Sequence, residues 1–195
     1  MLVFLDTETT GLPKKRHAST FRTSNWPRIV EIAWIECNEE GTVRAEYTNI
    51  IRPESFEIPA DAAAIHGITT SRALKRGVPI NPVLREFHNS LLRSSYLIGH
   101  NLDFDTKVVL AEYIRAGLFW PYFQFLWKKQ ICTMTSSKNF CRIRTGKGYY
   151  KYPKLSELHF KLFGRAPDEK HQALEDARTC MKCYFELKKR KIIKI

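Results

Sequence analysis

The chain has 195 residues, 44% of them hydrophobic, and a formal net charge of +12. That length suits one domain and the apolar share suffices for a sizeable core, which excludes a disordered chain. No run approaches the roughly 18 apolar residues of a bilayer span. The start, Met1-Leu-Val-Phe-Leu-Asp6, meets a carboxylate too early for a signal peptide. The expectation is a soluble intracellular protein, cytoplasmic or nuclear, with no membrane role, and the basic excess points to a polyanionic partner.

Residues 1–7 alternate with apolar residues on both sides, as in a central strand covered on both faces, and Thr9-Thr10-Gly11-Leu12-Pro13 breaks the pattern. Residues 28–37 and 42–51 read as two further strands, joined by the turn Asn38-Glu-Glu-Gly41 as an antiparallel hairpin. Helices are predicted over 60–65 and 81–93, a short strand over 96–99, and a helix over 103–116 stopped by Gly117. Residues 131–134 read as a short strand, and 155–163 and 173–189 as helices. The aromatic stretch 118–127 reads as core packing rather than a partner surface. Three strands followed by alternating helices and strands predict a mixed α/β sheet with helices on both faces. The odd cysteine count (Cys37, Cys132, Cys141, Cys180, Cys183) argues against a disulfide framework, and Cys180-x-x-Cys183 reads as an ordinary pair on a helix.

Three acidic signals stand out. Asp6 and Glu8 lie two apart on a strand, so both carboxylates point to one side at its end, a costly pairing that a divalent cation relieves. His100-Asn101-Leu102-Asp103-Phe104-Asp105 follows the strand 96–99; Asp103 reads as the helix cap, Asp105 as cap support or metal ligand. In His171-Gln-Ala-Leu-Glu-Asp176, a spacing of five works if His171 lies in the loop before the helix and Asp176 within it. An imidazole there titrates near neutrality, as a general base must.

Taken in order, Asp6-Thr-Glu8-Thr-Thr-Gly11, His100-Asn101-x-x-Phe104-Asp105 and His171-x-Ala-x-x-Asp176-Ala resemble the three motifs of the DEDDh exonucleases, the DnaQ-like relatives of the polymerase III epsilon subunit. The resemblance runs from about Leu2 to Ala177. It implies an RNase H-like fold with a mixed five-stranded sheet whose first three strands are antiparallel, and residues 1–195 as a single exonuclease domain. It also implies metal ligation by Asp6, Glu8, Asp105 and Asp176, with two magnesium or manganese ions, and His171 as general base. The activity implied is 3′-to-5′ hydrolysis of DNA single strands or frayed ends to nucleoside 5′-monophosphates. RNA-end trimming and a non-catalytic nucleic-acid-binding module are the alternatives. The backbone of Thr7, Thr9, Thr10, Gly11 and Leu12, together with His66, Ile68, His100, Asn101 and Phe104, would contact the terminal nucleotide. A polymerase or repair factor would be a further partner.

Residues 113–156 contain no acid, and cations there, Lys147 and Lys151 among them, interleave with Phe140, Tyr149, Tyr150 and Tyr152. Cations tracking phosphates beside aromatics that stack on bases are the usual single-strand track. Residues 9–30 are likewise acid-free, and the enlarged segment 13–27 within them departs from the shorter family members and bears on substrate selection. The basic run Lys188-Lys-Arg-Lys191 reads as favourable charge at a helix C-terminus.

Overall fold

The computed structural model describes residues 1–146, 148–167 and 172–194. The first strand, β1 (Leu2–Thr9), lies at the centre of a five-stranded sheet ordered β3-β2-β1-β4-β5. The others are β2 (Ile29–Cys37), β3 (Val43–Ile50), β4 (Tyr96–Gly99) and β5 (Gln130–Cys132). β1 pairs antiparallel with β2, β2 antiparallel with β3, and β1 with β4 and β4 with β5 are parallel. This is the mixed sheet expected.

Alternating side chains of β1 enter two different cores. Val3 and Leu5 pack with Val83, Leu84, Phe87 and Leu91 of α3 (Ile80–Arg93) and Val108, Val109 and Tyr113 of α4 (Leu102–Arg115). Leu2 and Phe4 pack on the opposite face with Leu158 and Leu162 of α7 (Leu155–Phe163) and with Ala177, Cys180, Cys183, Tyr184 and Leu187 of α8 (Ala173–Lys189). Cys180 and Cys183 are buried free thiols, as their helix spacing suggested. A smaller cluster holds Val30, Ile58, Ile68 and Ala73 beneath two short helices, α1 (Ala60–His66) and α2 (Thr70–Arg76).

Three local expectations are corrected. The strand expected over 131–134 ends at Cys132, and Thr133 begins helix α6 (Thr133–Cys141), its hydroxyl donating to the Gly99 carbonyl. The 118–127 stretch contains helix α5 (Phe119–Leu126), and only its Leu118, Tyr122 and Phe125 stripe is buried, against α3 and α4. Trp120 and Trp127 are 72% and 87% exposed, because at 3.6 residues per turn a helix docked on one side turns the rest outward. Asp103 does not cap α4: Asn101, in the left-handed conformation (φ 63°), occupies the N-cap position, while Asp103 pairs with Lys107 one turn on.

Candidate active site

Parallel pairing of β1 with β4 stops at Phe4–Ile98, so the last half of β1 has a partner only on the β2 side. Such openings beyond the carboxyl ends of parallel strands are the usual ligand crevices of α/β sheets. The chain leaves β4 through Gly99, where a Cβ would stand 2.8 Å from the Leu102 side chain and 3.1 Å from the Leu5 carbonyl oxygen. Only glycine permits α4 to start this close to β1. That approach delivers Asp105, 3% exposed, to the open edge: its Oδ1 accepts the Thr7 backbone N–H at 3.1 Å and the Thr7 hydroxyl at 2.7 Å. A carboxylate thus takes the place of the missing strand partner.

Asp6 and Glu8 share the side of β1 that carries Leu2 and Phe4, the side packed on α8. Asp176 lies in the first turn of α8, and one oxygen from each of Asp6, Glu8 and Asp176 falls within 4.8 Å of the others. Residues far apart in the chain therefore meet where β1, α4 and α8 converge.

The electrostatics are those of crowded, poorly solvated carboxylates. Asp6 is raised well above the ordinary carboxylate range by burial, then by Asp105, Asp176, Glu8 and Glu31. Glu8 is pushed up to about 8 by burial, with Asp176, Glu31 and Asp105 adding repulsion. Burial also raises Asp105 to about 7, although the Thr7 hydrogen bonds oppose it. Either protons or cations must offset this repulsion. A donor set made entirely of carboxylate oxygens fits hard divalent ions such as magnesium or manganese.

Glu31 is the functional residue that the sequence reading missed. It lies opposite Glu8 in the β1–β2 register and is buried. Its Oε2 accepts the Ala173 N–H at 3.0 Å and its Oε1 the Thr48 hydroxyl at 3.4 Å. It therefore satisfies an otherwise orphaned donor at the start of α8, three residues before Asp176. The available signal was a pair of carboxylates, Glu31 and Glu36, in an otherwise apolar nine-residue strand whose residues are all buried.

The other candidate positions divide. The Thr9 hydroxyl donates to the Gly11 carbonyl, Thr10 and Gly11 are half-buried, and Leu12, three residues beyond β1, is 82% exposed. His66 is buried, its Nδ1 accepting the Ile68 N–H at 3.2 Å; burial lowers its pKa, opposed by Glu31 and by the Thr9 backbone. Asn101 is exposed and Phe104 half-buried beside Asp105 in the chain. Three expectations need correction. Ile68 is 2% exposed within the small core cluster and has no side-chain surface to offer a base. His100 spends both ring nitrogens on the protein, against the Thr133 hydroxyl and the Pro153 carbonyl, and burial lowers its pKa to about 4. The Lys151 ammonium is paired with Glu157 at 2.6 Å rather than free for a phosphate. Lys147 and His171 lie outside the described residues.

The mixed sheet thus gathers carboxylates from β1, α4 and α8 at the open end of its central strand. The chain belongs to the exonuclease family RNase_T, whose sequence profile matches residues 3–184. It is 29% identical over 185 residues to the uncharacterized exonuclease CP81 of Escherichia phage 186, covering 92% of this chain and 84% of that one. It is 28% identical over 186 residues to the 3′-5′ exonuclease DinG of Bacillus subtilis, covering 95% of this chain but 17% of that protein. In fold it is similar to E. coli exonuclease I in complex with a dT13 oligonucleotide (TM-score 0.77, 18% identity, 97% of this chain and 41% of that one). The chain spans a quarter or less of two of its curated relatives. No described helix is long and apolar enough to cross a membrane.

Proposed function

We propose that this chain is a DEDDh-type exonuclease domain, residues 1–195, that removes nucleotides from the 3′ ends of DNA using two magnesium or manganese ions. The observation that carries the reading is the meeting of Asp6, Glu8 and Asp176 oxygens within 4.8 Å, beside buried Asp105. In this reading the four carboxylates hold the ions. When bound, such ions polarise the scissile phosphate, acidify water and neutralise charge on the leaving oxygen. His171, at the place of the family's catalytic histidine, accepts the proton from the attacking water. Water adds to phosphorus in line, the bond to the 3′ oxygen breaks, and a nucleoside 5′-monophosphate leaves. The Thr7–Leu12 backbone and the His66 segment orient the terminal nucleotide. Glu31 positions Asp176 through the start of α8, and the Thr7 hydroxyl positions Asp105.

DNA is favoured over RNA because the similar fold of exonuclease I was captured with a DNA oligonucleotide. The length of the curated relatives supports work beside other domains, and a polymerase or repair partner belongs to the same proposal. The test is digestion of 3′-labelled DNA and RNA, single-stranded and duplex, in magnesium, manganese or chelator. Metal-dependent release of 5′-mononucleotides from DNA, reduced to background in Asp6→Ala with its folding intact, is expected. Faster digestion of RNA would move the reading to an exoribonuclease. Binding without cleavage would leave a nucleic-acid-binding module.

A further inference from the structure

The enlarged segment after β1 is tied to the fold by a series of hydrogen bonds. At its base, the Thr10 N–H donates to the Arg28 carbonyl and the Arg28 N–H to the Thr10 hydroxyl, both at 3.0 Å. Further out, Asn25 accepts from the Lys14 N–H at its carbonyl and from the Lys15 N–H at its side chain, and returns its amide to the Lys15 carbonyl. Trp26 is buried and its ring N–H reaches the Ser19 carbonyl. Thr20 bonds the Tyr122 hydroxyl at 2.9 Å, and Phe21 meets the Tyr122 ring edge-on. Beneath it, buried Glu112 holds Arg28 and Arg115, and Arg115 in turn donates to the carbonyls of Thr23, Trp26 and Pro27.

The cations of this region fall into two groups. Arg28 and Arg115 are consumed in construction. Lys14, Lys15, Arg16 and Arg22 are exposed, and among the described residues none has a carboxylate within ion-pair distance. No acid occurs anywhere in residues 9–30. Lys14, Lys15 and Arg22, with Ser24 and Asn25, line an open hollow of about 370 Å³. A braced segment that displays four like charges gains from a polyanion and loses little entropy in binding it. Its base is pinned two residues beyond Glu8, so it leaves the sheet at the end that carries the carboxylates.

From this we infer that residues 13–25 form a phosphate-binding platform for the nucleic-acid backbone away from the scissile bond, with Lys14, Lys15, Arg16 and Arg22 as its contacts. The inference rests on the exonuclease reading for its substrate and adds the element that sets preference for long strands or duplex ends. The backbone it grips belongs either to the cleaved strand or to its complement.

The test compares the parent with the variant Lys14→Glu, Lys15→Glu, Arg16→Glu, Arg22→Glu, matched for thermal unfolding. Substrates are the p-nitrophenyl ester of thymidine 5′-monophosphate, a 20-nucleotide single strand and a duplex of that length. The ester, which presents only the reacting group, should be cleaved by both proteins with the same kcat and KM. KM for the long substrates should rise at least tenfold, and the slope of log(kcat/KM) against log[salt] should flatten by up to about 3 on the single strand, at ~0.7 per lost phosphate contact, and by up to about 4 on the duplex, at ~0.9 per contact. Loss on both long substrates assigns the platform to the cleaved strand, and loss on the duplex alone assigns it to the complement. Unchanged KM and salt slope on both overturn the inference, as does an equal loss on the ester. Should the parent cleave nothing, the exonuclease reading fails separately; anisotropy with the labelled 20-mer and duplex then decides, at least tenfold weaker binding by the variant supporting the platform and equal binding ending it.

Discussion

Glu31 shows how one side chain serves the site without being part of it. Its carboxylate fixes the start of α8 through the Ala173 N–H, and α8 carries Asp176. Glu31→Ala leaves that buried donor unmet and should cost about 1–3 kcal/mol in urea unfolding; it should also weaken manganese binding, which a purely packing role would not alter. The raised carboxylates predict a pH effect as well. Folded Glu8 and Asp105 hold protons up to about 8 and 7, whereas unfolded carboxylates release theirs near ~4. Between those limits the folded state binds more protons, so metal-free stability falls as pH rises from about 4 and its proton-linked part is gone above about 8. Calorimetry in chelator from pH 5 to 8.5 should show Tm falling, with a shallower fall in magnesium. Glu8→Gln should flatten the profile and raise Tm at pH 8 while losing activity. A Tm that climbs with pH in chelator would contradict this account. At this scale the spacing of Asp6 and Glu8 announced their shared direction. The part played by Glu31 was hidden, because a strand sequence does not say which helix end will lie beside it.

The elements differ in how far the sequence disclosed them. β1, α3 and α8 were legible because their apolar periods are long and unbroken. α6 was not: Thr133, Thr135, Ser136 and Ser137 have weak helix propensity, and the helix depends on packing of Cys141 and on the Ser137 hydroxyl bonding the Thr133 carbonyl. The N-cap of α4 was misplaced because Asp103 has the commoner chemistry, whereas the tight exit at Gly99 demands a left-handed residue, which Asn101 supplies. α5 offers a direct contrast between its faces. Phe125→Ala should destabilise by about 3–5 kcal/mol, while Trp127→Ser, on the exposed side, should stay within about 0.5 kcal/mol. Both are read by chemical denaturation. The 13–27 segment depends on Glu112 in the same way. Glu112→Ala strands two arginines against a buried site and should cost about 3–5 kcal/mol, with early loss of protection from proteolysis between residues 13 and 27.

Across the molecule, the sheet brings together three stretches separated by most of the chain. The sequence identified those stretches and their order, and it foretold the mixed sheet. It could not show that β4 stops pairing with β1 at Ile98 and so opens the crevice, since that limit is set by the approach of α4. Nor could net charge alone separate working cations from structural ones: Arg28, Arg115, Lys151 and Arg178 are all committed to carboxylates of the fold. The central claim is that Asp6, Glu8, Asp105 and Asp176 form one divalent-cation site. Manganese titration by isothermal calorimetry, in the parent and in Asp176→Asn, tests it most directly. The account predicts saturable binding of two ions by the parent and loss of at least one in the variant, with the fold retained. No saturable binding by the parent, or the same isotherm for both proteins, would contradict it.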